Sequence, residues 1–272
     1  MREREHFLLG KRGDEALCED GFVVNDAFAA VVDGSTSKAG SKKLPAEKST
    51  GRRAMETTLR AIAALPPDAA MEEAARLLTA ALRRELTEEM LRDATLRPTC
   101  SAVIFSVMRR EVWLFGDCQC RIAGTTYTNG KYVDAVLTEA RCAALRYLLA
   151  HGHTEADLLR RDIGREIIFP LLRDQTNFQN DPSPFNLFRY TVLDGTPIDA
   201  STVPIISVPD AGPIVLASDG YPVLCDTLSE TEGELQRLLA ADPLCISENA
   251  ATKGCTDGQL SFDDRCYLSV EI

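Results

Sequence analysis

Asp33-Gly34 ends the apolar run Ala29-Ala30-Val31-Val32, and Asp219-Gly220 follows Ile214-Val215-Leu216-Ala217-Ser218. Glu19-Asp20 precedes one strand-like run and Asp263-Asp264 precedes the last. A carboxylate at a strand end stands on a stiff element with its head near solvent, a geometry that suits a metal ligand. The glycine after the aspartate lets a backbone carbonyl approach the same cation. All-oxygen donors of this kind select hard ions such as Mg2+ or Mn2+. Without such an ion, several gathered carboxylates repel one another. One Asp-Gly alone is an ordinary turn. Four acidic strand ends in one chain keep the metal reading beside the turn reading. The histidines, His6, His151 and His153, read as surface or helix-end residues.

The elements that must position these acids follow from periodicity. Residues 22–33 read as two short strands joined at Asn25-Asp26, and 34–50 as a polar, lysine-containing loop. Helices are expected over 51–65 and from Asp68, a candidate cap, to about Asp93, with an apolar stripe Met71, Ala74, Ala75, Leu78, Ala81, Leu82, Leu86 and Met90. Their short connection makes an antiparallel hairpin. Strands are expected at 100–107, 111–116, 203–208, 213–218 and 265–271. Helices are expected at 138–150, 154–163 and 229–241, the last opened by a Ser229/Glu232 capping box. Residues 174–186 read as a mobile surface segment. Elements arriving in blocks indicate α+β rather than alternating βαβ.

Composition narrows the field. The 272 residues carry 30 basic and 41 acidic side chains, net −11, with 45% hydrophobic residues. That is the profile of a globular chain and not of a general nucleic-acid or anionic-membrane binder. The nine cysteines show no CxxC pair and read as small buried hydrophobes. The charged start, with no signal peptide in view, indicates a reduced, cytoplasmic protein. The whole of 1–272 is expected to form a single domain, with no convincing linker.

Six segments, in order, resemble the metal-dependent serine/threonine protein phosphatases of type 2C. They are Cys18-Glu19-Asp20-Gly21-Phe22, Ala30-Val31-Val32-Asp33-Gly34-Ser35, Pro98-Thr99-Cys100-Ser101-Ala102, Leu114-Phe115-Gly116-Asp117-Cys118, Ile214-Val215-Leu216-Ala217-Ser218-Asp219-Gly220-Tyr221 and Ser261-Phe262-Asp263-Asp264-Arg265. The Leu-Ala-Ser-Asp-Gly run is the most specific, and together the segments span from about residue 10 to 272. The resemblance implies a four-layer α-β-β-α sandwich, two antiparallel sheets flanked by antiparallel helix pairs. It implies two Mn2+ or Mg2+ ions, with a further, weaker one near Asp117. Asp33 would bridge the pair, the Gly34 carbonyl would bind one ion, and Asp219 and Asp263 the other. Asp20 joins this ligand set, and it and Glu19 would act largely through metal-bound water, as would Asp117. Asp33, Asp219 and Asp263 are then the catalytic residues. A hydroxide bridging the ions would attack a phosphoserine or phosphothreonine of a protein substrate, with no protein nucleophile.

The chain departs from the family near its start. Asp14, Glu15, Ala16 and Leu17 occupy the stretch that usually holds a phosphate-gripping arginine, which leaves Arg12, just after Lys11, as the candidate. Two alternatives fit this departure: a catalytically weak member that binds phosphoproteins or scaffolds a complex, and a small-molecule phosphohydrolase.

Overall fold

The computed structural model describes residues 1–38, 48–208 and 212–272. The loop expected over 34–50 lies partly outside the described residues. In chain order the elements are β1 (Arg2–Leu9), β2 (Asp20–Val24), β3 (Phe28–Ser35), α1 (Thr50–Ala63), α2 (Met71–Arg83), α3 (Glu88–Arg92), β4 (Thr99–Ser106), β5 (Glu111–Phe115), β6 (Gln119–Ile122) and β7 (Thr125–Thr128). They continue with α4 (Tyr132–Ala150), α5 (Glu155–Arg160), α6 (Ile163–Asp174), β8 (Ile205–Ser207), β9 (Pro213–Ala217), α7 (Leu228–Ala241) and β10 (Arg265–Glu271).

The strands form two five-stranded antiparallel sheets, ordered β2-β3-β4-β5-β8 and β1-β10-β9-β6-β7. Alternation along each strand divides the core. In β3, Ala29 and Val31 face the second sheet and join Leu216, Cys266, Leu268 and Val270. Phe28, Ala30 and Val32 face outward and meet Ala54, Met55 and Ile62 of α1 and Leu78 and Leu82 of α2. Burial on both faces explains why β3 and β4 read as unbroken apolar runs. On the far side, Val215, Ala217 and Tyr267 pack under Leu235 and Leu238 of α7. The fold is α+β, as expected, with helices against both outer faces.

Several boundaries differ from the sequence expectation. The helix expected from Asp68 to Asp93 is α2, with Ala70 at its start, followed by α3, capped by the Thr87 hydroxyl on the Met90 amide. Helix α4 begins at Tyr132; the helix expected at 154–163 is α5, which ends at Arg160, and α6, capped by Asp162 on the Arg165 amide, has no counterpart in the sequence reading. Helix α7 is capped by Thr227 with Glu230, because Glu232 is turned to Tyr221 and Arg265. Residues 174–186 open with a tight turn, Gln175–Phe178, and Asn180 ties the segment to Val192, Asp194 and Thr196. Strands β1, β6 and β7 have no counterpart in the sequence reading. Among the described residues no helix is long and apolar enough to cross a membrane.

Candidate metal centre

Asp20 and Asp33 are register partners across β2 and β3, so their side chains share one face at the end of the sandwich. That face carries Ala29 and Val31 and looks toward the second sheet. Asp219 arrives from the second sheet, on the turn after β9. This turn is held by Gln119, whose Nε2 donates to the Ser218 carbonyl at 3.0 Å and the Tyr221 carbonyl at 2.6 Å. A Cβ on Gly220 would lie 2.0 Å from the Asp264 carbonyl oxygen, so only glycine lets the Asp219 and Asp263-Asp264 segments approach this closely.

Gly34 serves the same end on the first sheet. A Cβ there would meet the Gly51 carbonyl oxygen at 2.3 Å and the Glu19 carbonyl oxygen at 2.8 Å. The start of α1 therefore presses on the end of β3. Its cap Ser49 and Thr36 both donate hydroxyls to Glu19 Oε1, fixing that carboxylate beside Gly34. Asp117 accepts from Ser101 Oγ at 2.5 Å and from Lys131 Nζ at 2.6 Å. Lys131 outweighs burial there and holds the Asp117 carboxyl below its ordinary range.

Most of these groups line one cleft of ≈ 450 Å³, with Asp20 buried and not among its lining residues. Glu19, Asp33, Gly34, Asp117, Asp219, Asp263 and Asp264 line it, and Lys11, Lys38, Lys131, Arg165 and Lys253 stand among them. Arg12 is exposed and is not among the lining residues; its neighbour Lys11 is. The sequence reading passed over Lys38, Lys131, Arg165 and Lys253. Lysines in loops and a helix arginine carry no periodic signal, and their pairing with acids depends on contacts far apart in the chain. His6 pairs with Glu3 and His151 with the Tyr147 carbonyl, neither in the cleft.

Electrostatics set Asp20 and Asp33 apart. Asp20 is 2% exposed, and its Oδ2 has no hydrogen-bond partner. Burial pushes its carboxyl up to about 7, against a hydrogen bond from Ser218, and the charges of Asp264 and Asp219 push the same way. Asp33 is raised well above the ordinary carboxylate range by burial and then by Asp20, Asp219 and Asp117, with Lys253 opposing. Nearby Cys118 and Cys266 are buried thiols pushed far upward by the same environment, so they offer no thiolate ligand.

Among the described residues no three His, Cys, Asp or Glu side chains stand ready-made around a metal position. The chemistry of the donors nonetheless fits a hard cation at Asp20, Asp33 and Asp219. They are oxygen donors in mutual repulsion, and one buried oxygen is orphaned. Asp263 does not fit in the same way. Its Oδ1 accepts from Lys11 Nζ at 2.7 Å, and its Oδ2 is in ion-pair contact with Lys253 Nζ. Asp264 accepts backbone N–H bonds from Lys11 at 2.9 Å and Glu19 at 2.8 Å, tying the first acidic loop to the last strand.

No protein-family model matches the chain, and no curated protein matches it by sequence. Solved structures match over nearly the full length of both chains. The match is to bacterial serine/threonine phosphatases. The phosphatase PstP of Mycobacterium tuberculosis is 15% identical, over 99% of this chain and 98% of its own, with a TM-score of 0.47. Its catalytic domain with two manganese ions is 14% identical over all of both chains, at 0.47. Stp1 of Staphylococcus aureus is 14% identical over 100% of this chain and 95% of its own, at 0.46.

Proposed function

We propose that this chain hydrolyses phosphoserine and phosphothreonine esters with the aid of a divalent cation, Mn2+ or Mg2+, held by Asp20, Asp33 and Asp219. The reading rests on one observation: a single cleft carries acids in mutual repulsion beside a set of cations from other elements. A bound cation would supply charge that acidifies water and neutralises phosphoryl oxygens.

The chain's own groups supply the rest. Lys38, Lys131 and Arg165 line the cleft, where a phosphate dianion finds fixed positive charge. Burial, and then the charges of Lys131, Arg165 and Lys253, lower Lys38 to about 8. Excess positive charge of this kind is what an incoming anion relieves. Glu19, held by Thr36 and Ser49, is oriented to accept a proton or hydrogen-bond a water at the edge of the site. Gly34 leaves its backbone beside Asp33 uncrowded by a side chain.

A second reading, a phosphoprotein-binding module with little turnover, is favoured by the lysines already paired with Asp263 and Asp117. Phosphate release from a panel of phosphoserine and phosphothreonine peptides separates the two. Hydrolysis with Mn2+ or Mg2+ that chelation stops supports the enzyme. Saturable peptide binding without release at any metal concentration supports the module.

A further inference from the structure

We infer that Lys253 stands where the resemblance would put the second divalent cation, so that this chain takes up one ion and supplies the other positive charge itself. The inference rests on the metal-dependent reading above and concerns the same cleft.

Both oxygens of Asp263 are occupied. Lys11 Nζ and the Asp264 amide take Oδ1, at 2.7 and 3.0 Å, and Lys253 Nζ takes Oδ2. These donors take three of the roughly four acceptor positions of the carboxylate, and two of them are ammonium groups whose charge opposes a second cation there.

Lys253 is not a loose surface side chain, for its loop is fixed on both sides. The Ala251 carbonyl accepts from Arg141 Nη1 at 3.0 Å, and the Thr252 carbonyl from Arg165 Nη1 at 2.9 Å. The Gly254 amide donates to Asp162 Oδ2 at 3.1 Å, and the Cys255 amide to the Pro243 carbonyl at 2.9 Å. Arg141 is itself fully buried and paired with Asp162 at 2.8 Å. A buried ion pair is costly to build, and this one, besides joining α4 to the cap of α6, holds this loop and the turn at 244–245. It aims one ammonium at Asp263.

Charge counting agrees. The lining of the cleft, taken with Asp20, holds eight acids and six bases, so one divalent ion brings it to neutrality. A second divalent ion would leave an excess of two positive charges in a partly desolvated cleft, where like charges repel strongly.

The test is the number of Mn2+ ions bound by the full chain, from calorimetric titration, with electron paramagnetic resonance to distinguish an isolated ion from a spin-coupled pair. Wild type is expected to bind one ion with an isolated-ion spectrum. Lys253→Met is expected to bind two with a coupled spectrum, and Lys253→Arg to remain at one. Asp33→Asn serves as the control for the metal-dependent reading and is expected to lose the ion. Two ions in wild type, lost in Asp33→Asn, would overturn the inference and leave that reading standing. No ion in wild type would overturn both. A folded Lys253→Met that still binds one would overturn the role given to Lys253.

Discussion

At the scale of single residues, the chain places Asp20 opposite Asp33 with one carboxylate oxygen unpartnered, an arrangement unfavourable in the absence of a cation. The sign of its pH dependence follows. With the Asp20 carboxyl raised from 3.8 to about 7, the folded protein keeps a proton that the unfolded chain releases above pH 4. Stability of the metal-free protein should therefore fall as pH rises from about 4 to 7. Calorimetric melting in chelator should show this decline, and Asp20→Asn should flatten it, gaining on the order of 1 kcal/mol at pH 8. Asp33→Ala should stay folded, with an unchanged or slightly higher melting temperature. It should also lose at least tenfold in Mn2+ affinity and essentially all phosphate release, read by titration and a phosphate assay. These acids were legible in the sequence because each ends a strand-like run or sits before one. Their lysine partners were not: Lys11 and Lys253 meet Asp263 across separations that no local pattern reports.

At the scale of elements, the site depends on how closely strand ends and helix starts approach. Gly34→Ala would drive a methyl into the Gly51 carbonyl, forcing β3 and α1 apart. We expect a loss of about 2 kcal/mol in denaturant unfolding, together with weaker metal binding. Arg141→Met should cost about 3 kcal/mol, because Asp162 is left without its partner and the 251–255 loop loses its anchor. Strands β3, β4, β9 and β10 were legible through their apolar runs. Strand β1 was not, since Arg2, Glu3, Arg4 and Glu5 make it a charged edge strand without a buried alternation. Helix α7 was legible in extent but not in its cap: Glu232, which spacing assigned to a capping box, instead pairs with Arg265 of β10.

At the scale of the whole molecule, an acidic chain with net charge −11 gathers cations in one cleft between two sheets. Asp20 and Asp33 belong to one sheet, while Asp219 follows a strand of the other. An ion held between them links the two halves of the sandwich and binds only the folded state. Saturating Mn2+, at about 100 times its dissociation constant, should add about 2.7 kcal/mol of stability. That corresponds to a rise of roughly 5 to 10 °C in melting temperature for a chain of this size. Two antiparallel sheets flanked by helices were implied by the six resembling segments, but that Lys11 and not Arg12 lines the cleft became visible only in three dimensions. Asp20, Asp33 and Asp219 are proposed to hold a divalent cation together. A crystal soaked in Mn2+ and measured at the manganese absorption edge tests this most directly. An anomalous peak bounded by Asp33 and Asp219, with Asp20 beside it, is expected; a saturated crystal with no peak at these carboxylates would contradict a cation site there.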